Sequence, residues 1–450
     1  MKVAHVITRM IIGGAQENTL LNCLDLIDDF GDDVLLLCGP SLGPEGSLLD
    51  KVGITSLEKD PRGSYEQPSS QSDTPVSSDE GRAGQSASRQ PERQDAISHS
   101  SARDVATHVV ADRLPVRLVR SLRRNIHPWH DALAYRELRQ VISDFGPDVV
   151  HTHSAKGGLL GRLTGWRCMT PAVIHSVHGA PFHDYQSVLA RRFFVACERW
   201  AAKRCHHLIS VADAMTDLMV DAGVTTRDRF TTIASGMNVD PFLTADNLRD
   251  AVRSQYGFQS HHVVIGKIAR LFHLKGHDDV ITAAADVIHE NPNVRFLWVG
   301  DGVLRPTLQA RIDQLGLTSH FVLTGLVPPA RVAELIGGMD LLVHASYREG
   351  LARALPQTLI AGKPVISYDI DGAREVTIPG ETGCLVDPGD TGGLASAMSL
   401  LARDADQRRR LGQAGRERFT DRFRHQTMTR EIRALYQRCI EASTGFRQSS

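Results

Sequence analysis

The chain has 450 residues, 42% of them hydrophobic, which is enough for two or three domains with sizeable cores. Its formal net charge of −1 provides no global positive field that would indicate nucleic-acid binding. The seven cysteines form no C-x-x-C pair, and their odd number and irregular spacing argue against a disulfide scaffold. We expect them to be reduced thiols.

The sequence contains no recognisable targeting or membrane-spanning segment. The apolar run in MKVAHVITRM is too short for a signal peptide, and no run of 18 apolar residues occurs elsewhere. We therefore expect a cytoplasmic protein, peripheral at most to the inner face of a membrane.

Strand-like apolar runs alternate with helix-period segments along the first half of the chain. VAHVI leads through the glycine turn IIGGAQ into a helical segment, and the rhythm continues with DVLLLC, PDVVH, AVIHSVH and HHLISVA. This βαβ pattern is typical of a parallel sheet covered by helices. A second series begins after about residue 240, with VVIGKIA, VRFLWVG, HFVLTG, DLLVHAS and KPVISY.

The break between the two series lies near NVDPFLTADN, where Pro241 and polar residues interrupt the pattern. The sequence therefore predicts an α/β chain with two doubly wound Rossmann-like domains, 1–240 and 241–422. A final helix is predicted over 423–450, because apolar residues recur there with helical spacing. This stripe consists of Met428, Ile432, Leu435, Tyr436 and Cys439.

Residues 62–104 form a segment of different composition within the first domain. Ser, Gln, Pro and Arg dominate it, and large apolar side chains are almost absent. Such a segment buries too little surface to offset chain entropy, so we predict a disordered surface insertion without a catalytic role.

Two cations of the second domain follow its first predicted strand. Arg270 ends VVIGKIAR, and Lys275 opens the next helical segment. Ligands of α/β sheets bind at the carboxyl ends of strands, and a helix start adds N–H donors, so a diphosphate is a suitable ligand. The alternative is a solvated pair at a helix cap.

Two further strand–loop–helix junctions carry glycines. Gly302 belongs to a Gly-Asp-Gly turn, a weak signal that more often marks only a tight turn. At the next junction Glu349 and Gly350 precede Leu351 and Ala352, whose N–H groups we expect to be free at a helix start. A carboxylate there suits sugar hydroxyls and the amides suit phosphate oxygens, unless Glu349 only stabilises its own helix.

Three loops of the first domain leave the carboxyl ends of predicted strands. They contain Gly14, the stretch HTHSAKGG (151–158) and His178, so we expect them to meet on one rim. His178 is the better candidate for a functional contact, whereas His153 and His183 are expected to be structural. No H-E-x-x-H or Cys/His ligand spacing is present, so no metal site is predicted.

Taken together, these motifs resemble the retaining, sugar-nucleotide-dependent glycosyltransferases of family four, which have the GT-B fold. The most specific part is 263–390, from VVIGKIARLFHLKGHDDVI through EGLARALPQTLIAGKPVIS to GETGCLVDPGD. The resemblance implies two domains facing across a cleft, with the nucleotide on the C-terminal domain and the acceptor mostly on the N-terminal one. The last helix would then cross back to the N-terminal domain.

The same resemblance implies roles for individual residues. Arg270 and Lys275 would hold the donor diphosphate, Glu349 and His178 would contact the transferred sugar, and Gly14 would back the diphosphate from the opposite domain. No metal or separate cofactor would be needed, because these cations stabilise the leaving diphosphate. The donor would be a nucleoside diphosphate sugar, the acceptor a glycan or lipid-linked molecule, and the process cell-surface glycan or glycolipid assembly.

One residue departs from the family pattern. Gln357 occupies the position of the second glutamate of the E-x7-E motif, which usually binds the nucleotide ribose. An amide still accepts a hydrogen bond but lacks the charge that makes such bonds about twice as strong. We expect weaker or altered hydrogen bonding to the ribose, so the identity of the nucleotide stays open.

Residues 113–126, RLPVRLVRSLRRNI, carry five arginines and no acid. The pattern predicts a basic amphipathic helix that either lies on an anionic membrane or packs its apolar face on the domain. For the whole protein, a sugar-nucleotide epimerase and a non-catalytic nucleotide-sugar sensor remain alternatives. A nicotinamide dehydrogenase fits less well, because no G-x-G-x-x-G follows the first strand.

Overall fold

A computed structural model describes residues 1–41, 47–49, 113–183 and 185–448, with side chains up to residue 443. The segment predicted to be disordered, about 62–104, lies outside these ranges. Within them, no helix is both long and apolar enough to cross a bilayer.

The described part of the N-terminal domain forms a parallel sheet of seven strands in the order β3-β2-β1-β4-β5-β6-β7. The strands are β1 (Lys2–Arg9), β2 (Asp33–Gly39), β3 (Val116–Leu118), β4 (Val149–His153), β5 (Ala172–Val177), β6 (His207–Ser210) and β7 (Phe230–Thr232). The helices of this domain are α1 (Gly14–Asp28), α2 (Pro128–Phe145), α3 (Ala155–Arg167), α4 (Val188–Ala202) and α5 (Asp213–Asp221).

The C-terminal domain repeats this arrangement with six parallel strands, in the order β10-β9-β8-β11-β12-β13. The strands are β8 (Val263–Ile268), β9 (Val294–Val299), β10 (Phe321–Leu323), β11 (Leu341–His344), β12 (Val365–Tyr368) and β13 (Gly383–Val386). The helices are α6 (Asp240–Leu243), α7 (Arg249–Gln255), α8 (His277–Glu290), α9 (Arg305–Gln314), α10 (Pro329–Gly338), α11 (Ala354–Ile360), α12 (Thr391–Arg403), α13 (Ala405–Phe419) and α14 (His425–Gln448), of which α14 leaves this domain.

Two doubly wound parallel sheets confirm the predicted fold class. All ten predicted strands are present, whereas the short strands β3, β7 and β13 were not predicted. Strand order reverses beside the first strand of each sheet, between β1 and β4 and between β8 and β11. Such switch points open a crevice at the carboxyl ends of the strands. The crevices of the two sheets therefore provide the natural ligand sites of the fold.

The arginine-rich stretch 113–126 is not the predicted helix. It forms the edge strand β3 and then turns until α2 begins at Pro128. Its apolar residues Leu114, Val119 and Leu122 are at most 3% exposed, because they pack into the core of the domain. The helical prediction was wrong since the apolar spacing reflects this irregular packing and not a helical face.

The last helix, α14, lies against the N-terminal domain. Its first turns bind α1, where Asp25 accepts hydrogen bonds of 2.8 Å from His425 Nδ1 and from Thr429 Oγ1. Further along, the Tyr436 hydroxyl lies 2.6 Å from His151 Nδ1 within the N-terminal core. The chain thus crosses between the domains twice, and its two crossings lie side by side where Met237 and Arg424 form a parallel bridge.

Three buried histidines lie side by side in the N-terminal sheet. His5 on β1 neighbours His151 and His153 on β4, and all three are at most 1% exposed. Their ring nitrogens lie within 4.8 Å of one another, a spacing that also suits metal ligands. However, His151 and His153 use both nitrogens in hydrogen bonds, and only His5 Nε2 lacks a partner among the described residues. The three rings pack as a buried row in which His5 and His153 are hydrogen-bonded to each other and His151 to Tyr436 and Ser176. The absence of a metal stays a prediction.

Replacing His5 by Phe should make the free energy of unfolding less dependent on pH below pH 6.5. Burial lowers the pKa of His5 from 6.5 to about 3, so the folded chain keeps the ring neutral while the unfolded chain binds a proton. Its contribution is complete above pH 6.5 and is lost as the pH falls towards 3. Between pH 6 and 4, His5→Phe should reduce the slope of unfolding free energy against pH by about 1.4 kcal/mol per unit.

Urea unfolding at several pH values measures this slope. The exposed His289 provides a matched control, because His289→Gln should leave the slope of the wild type unchanged. An identical slope for the wild type and His5→Phe would contradict the account of the buried row.

Candidate active site in the interdomain cleft

The carboxyl ends of the two sheets face each other across a cleft. Two cavities of about 350 Å³ each adjoin there and share His178, Arg270, Lys275 and Glu349 in their walls. We call them the Gly14 cavity and the Tyr347 cavity, each after a residue that lines only one of them. Both domains therefore contribute predicted site residues to one continuous space.

Several contacts hold the domains together beside these cavities. Arg348 Nη2 donates to the Ala180 carbonyl at 2.6 Å, and the Ala214 N–H donates to Glu375 at 3.1 Å. Gly350 packs against the His178 carbonyl, where an added Cβ would lie only 2.7 Å from the oxygen. A further contact, made by Arg353, is described below. The predicted Gly350 is thus required for close approach of the domains, and it also lines the Tyr347 cavity.

Arg270 and Lys275 lie on the loop between β8 and α8. The helix begins at His277, two residues after the predicted start, and His277 Nε2 lies 3.0 Å from the Arg270 carbonyl, which fixes the loop. Gly276 adopts φ 56°, and a Cβ there would lie 1.9 Å from the Ala345 carbonyl. The Arg270 side chain is exposed and has no acidic partner among the described residues, so its charge is available to an anion.

Glu349 follows β11 and pairs with Lys275 across the switch point. Its Oε1 accepts from Lys275 Nζ and, at 3.1 Å, from Ser346 Oγ. Burial acts to raise the pKa of Glu349, but His344, Lys275 and these hydrogen bonds outweigh it and hold the pKa below its ordinary value. Glu349 is therefore a carboxylate at neutral pH. In the described part of the chain its Oε2 has no bond, which leaves one oxygen to accept from a ligand hydroxyl.

A buried lysine that the sequence analysis missed supports this pair. Lys267 on β8 is 2% exposed, and its Nζ donates to the Lys275 carbonyl at 2.9 Å. Burial and then the charge of Lys275 lower the pKa of Lys267 to about 7. The signal was available as a lysine inside the apolar run VVIGKIA, where charged residues are rare.

Arg353 spans the cleft and was also missed. Its Nη1 donates to the Gly14 carbonyl and to Glu17 Oε2, both at 3.1 Å, while Nε and Nη2 are buried without a partner among the described residues. Gly14 lines its cavity directly under this side chain, and a Cβ at Gly14 would lie 2.7 Å from Arg353 Cδ. Gly14 thus makes room for an arginine of the facing domain, and two guanidinium nitrogens remain to donate to a ligand.

His178 follows β5 and lines both cavities. Its Nε2 lies 3.2 Å from His153 Nδ1, whose other nitrogen lies 3.1 Å from His5 Nδ1. Burial and the charge of Arg353 lower the pKa of His178 to about 4, so the ring is neutral at pH 7. A neutral ring with one nitrogen fixed by His153 suits a hydrogen bond to a sugar better than proton transfer. His183 lines the Tyr347 cavity, although it was expected to be structural.

Four predicted residues lie differently from the expectation. Leu351 and Ala352 line the Gly14 cavity, but α11 begins only at Ala354, so their free N–H groups precede the helix. Gly302 lines neither cavity; a Cβ there would lie 2.4 Å from the Leu271 carbonyl, so this turn supports the Arg270 loop from behind. Gln357 lies half-buried in α11, one turn beyond the cavity wall. Its predicted contact with a ribose stays a prediction.

The N-terminal rim contains one strained residue, Ser154, which sequence reasoning did not single out. It adopts φ 59° and ψ 164°, a conformation that is almost confined to glycine and costs about 1–3 kcal/mol. Two hydrogen bonds to Thr8, at 3.1 and 2.6 Å, hold it in place between β4 and α3. Strain of this kind accumulates at ligand sites, and Ser154 lies beside the cavity wall that contains His178.

Comparison with known proteins matches each of the two domains to a glycosyl transferase model. A model of glycosyl transferases group 1 matches residues 249–418, and a model of a glycosyl transferase 4-like domain matches 83–236. The putative glycosyltransferase EpsD of Bacillus subtilis (strain 168) is 26% identical over 330 residues, which are 72% of this chain and 85% of that protein.

An Escherichia coli UDP-Gal:alpha-D-GlcNAc-diphosphoundecaprenol alpha-1,3-galactosyltransferase is 25% identical over 301 residues, 66% of this chain and 77% of the relative. Among solved structures, Anabaena HepE in complex with UDP superposes with a TM-score of 0.70 at 17% identity, covering 97% of this chain and 100% of the other. The chain belongs to the group 1 glycosyl transferases, family four of the sugar-nucleotide-dependent enzymes, and has their GT-B fold.

Proposed function

We propose that this glycosyltransferase binds its nucleoside diphosphate sugar in the Gly14 and Tyr347 cavities and transfers the sugar with retention of configuration. The observation that carries the proposal is the shared wall of the two cavities. It combines cations for a diphosphate, Arg270 and Lys275, with a carboxylate and a neutral imidazole for a sugar, Glu349 and His178. No separate cofactor or metal is required by this arrangement.

The diphosphate would lie between the two domains. Among the described residues, Arg270 has no acidic partner and two guanidinium nitrogens of Arg353 have no hydrogen bond. In the same part of the chain, no backbone hydrogen bond is donated by the N–H groups of Leu351 and Ala352, which line the Gly14 cavity. Gly14 lines the Gly14 cavity and Gly350 the Tyr347 cavity, so both domains contribute main chain to the walls. Charge on the leaving diphosphate is stabilised by donors already in position, which is the most effective use of such groups.

The sugar would lie next to Glu349 and His178, whose polar atoms suit hydroxyl groups. In the transfer step the bond between the anomeric carbon and the diphosphate oxygen breaks, and the acceptor oxygen bonds to the same face of the sugar. The acceptor proton passes to the departing phosphate oxygen, so no protein base is needed. The coupling constant of the anomeric proton in NMR spectra of the product distinguishes retention from inversion. An inverted product would rule out same-face attack.

Arg270→Ala should weaken binding of the nucleoside diphosphate with little effect on the fold. A charge-assisted hydrogen bond contributes about 1.5–3 kcal/mol, so affinity should fall roughly 10- to 150-fold. The measurement is a thermal-shift screen against UDP, GDP, ADP and CMP, with and without magnesium, which also identifies the nucleotide.

The control is Arg409→Ala, which removes an exposed arginine that lines neither cavity. It should retain the shift of the wild type. A shift of equal size in Arg270→Ala would place the nucleotide elsewhere and overturn the proposed donor site.

We also propose peripheral contact with an anionic membrane, through a surface different from the predicted helix. Leu189 and Phe193 lie one turn apart on α4 and are 80% and 53% exposed, and Ile126 and Trp129 are 68% and 77% exposed. Ile126 and Phe193 line one cavity, so the two apolar segments adjoin. The exposed arginines of 113–126 flank them, a combination that suits an anionic lipid surface.

Vesicles test this contact by sedimentation at low salt. The wild type should sediment with vesicles containing anionic phosphatidylglycerol but not with neutral ones, and Arg120→Gln with Arg123→Gln should release it, as should Leu189→Ser. The exposed pair Arg409→Gln and Arg410→Gln on α13 is the control and should still sediment. A wild type that stays in solution with anionic vesicles would end the proposal.

A further inference from the structure

A third cavity in the N-terminal domain, of about 490 Å³, has no part in the donor site. We call it the Phe193 cavity, because Phe193 lies in its wall together with Ile126, Leu159 and Phe194. These side chains make the wall largely apolar. It lies between α3, α4 and the start of α2, on the acceptor side of the cleft.

The Phe193 cavity lies one smaller space away from the proposed donor site. A smaller space of about 300 Å³ lies between them and shares Ser154, Ala155 and Pro181 with the Phe193 cavity. The same space shares Ala15 and His178 with the Gly14 cavity. Ser154 therefore lies on the route that a ligand of the Phe193 cavity would take towards the proposed donor site.

The mouth of this cavity keeps apolar side chains in solvent. Phe193 is 53% exposed and Ile126 is 68% exposed, although both could bury their surface against an apolar ligand. Contiguous exposed apolar surface of this kind usually marks a binding site. The wall and the mouth together suit an extended apolar chain.

The same cavity carries an excess of positive charge. Asp131 in its wall is neutralised by Lys156 at 2.6 Å, and Glu198 by Arg162 at 2.8 Å. Arg9 and Arg124 also line the cavity and have no acidic partner among the described residues. Two uncompensated guanidinium groups beside an apolar wall call for an anionic group on the ligand.

A helix terminus reinforces this charge. α3 begins at Ala155, and both Ala155 and Lys156 lie in the cavity wall, so the positive end of the helix dipole adds to the field of the two arginines. The strained Ser154 forms the edge between this terminus and the passage to the cleft. The anionic group is thereby located between the apolar wall and the transfer site.

We propose that the Phe193 cavity binds an acceptor in which a phosphate or diphosphate joins the accepting sugar to an apolar lipid chain. This inference rests on the proposed transfer function and names the acceptor class for it. The chain lies along Phe193 and Ile126, the phosphate lies at Arg9 and Arg124, and the sugar passes Ser154 to meet the donor beside His178. The exposed apolar surface around Ile126 and Leu189 continues this path towards a membrane.

Calorimetric titration with farnesyl diphosphate, an isoprenoid diphosphate without a sugar, tests the proposal on the full chain. The wild type should bind it, and inorganic diphosphate and farnesol should each bind at least tenfold more weakly. Arg9→Gln combined with Arg124→Gln should weaken binding at least tenfold, and so should Phe193→Ala. Arg136→Gln, which changes an exposed arginine on α2, should bind like the wild type.

The donor site is controlled separately. Arg270→Ala should retain farnesyl diphosphate, and the Arg9/Arg124 variant should retain the thermal shift with its nucleotide, so failure of one site is distinguishable from failure of the other. Unchanged affinity in the Arg9/Arg124 and Phe193 variants overturns the proposal. Equal affinity for inorganic diphosphate shows a free-phosphate site in place of a lipid one, and loss of binding in Arg270→Ala alone shows that the probe occupies the donor site.

Discussion

The ion pair of Lys275 and Glu349 is the interaction on which the cleft depends. The two residues follow β8 and β11, the neighbouring strands between which the C-terminal sheet reverses its order. Their charges compensate each other in a partly buried position, while the buried Lys267 holds the Lys275 carbonyl from below. This arrangement keeps Glu349 ionised and leaves one of its oxygens for a ligand. Removing either partner would leave an uncompensated charge in the wall, which is far more costly than an exposed one.

The facing domain is positioned by contacts that demand glycine. Arg353 lies over Gly14, and Gly350 lies against the His178 carbonyl, with no space for a Cβ at either glycine. The proposed donor site therefore exists only where the domains meet, because Arg270 and Lys275 lie on the C-terminal domain and His178 lies on the N-terminal one. The same geometry explains why the motif around Glu349 combines an acid, a glycine and an arginine within five residues: the acid serves the site, and the other two join the domains.

Much of this could be predicted from the sequence, because apolar runs, glycine turns and the cations after strands are local signals. The strands β1 and β8 and the positions of Arg270, Lys275, Glu349 and His178 follow from them. Arg353 and Ser154 could not be found in this way. Their roles depend on Gly14 and Thr8, residues that are distant in sequence and are brought close only by the fold.

Two errors have the same origin. Residues 113–126 read as a helix because apolar residues recur among arginines, yet β2 provides an open sheet edge that accepts Val116–Leu118 as a strand. The predicted helix start at Leu351 moved to Ala354 because the preceding residues turn to contact the other domain. Tertiary contacts overrode local preference in both cases. For Gln357, one turn further along α11, the described residues offer no side-chain partner that explains why an amide stands there.

The most direct test of the account is the breakdown of the donor sugar nucleotide by Glu349→Gln. This change keeps the shape of the side chain and removes its charge, so the nucleoside diphosphate should still raise the melting temperature. Single-turnover cleavage of the donor, with water or an added acceptor, should slow about 100-fold, equivalent to roughly 2.7 kcal/mol of transition-state stabilisation. The exposed Glu381→Gln is the control and should react like the wild type. Undiminished cleavage by Glu349→Gln would show that cleavage of the sugar nucleotide does not depend on this carboxylate, and it would contradict the proposed site.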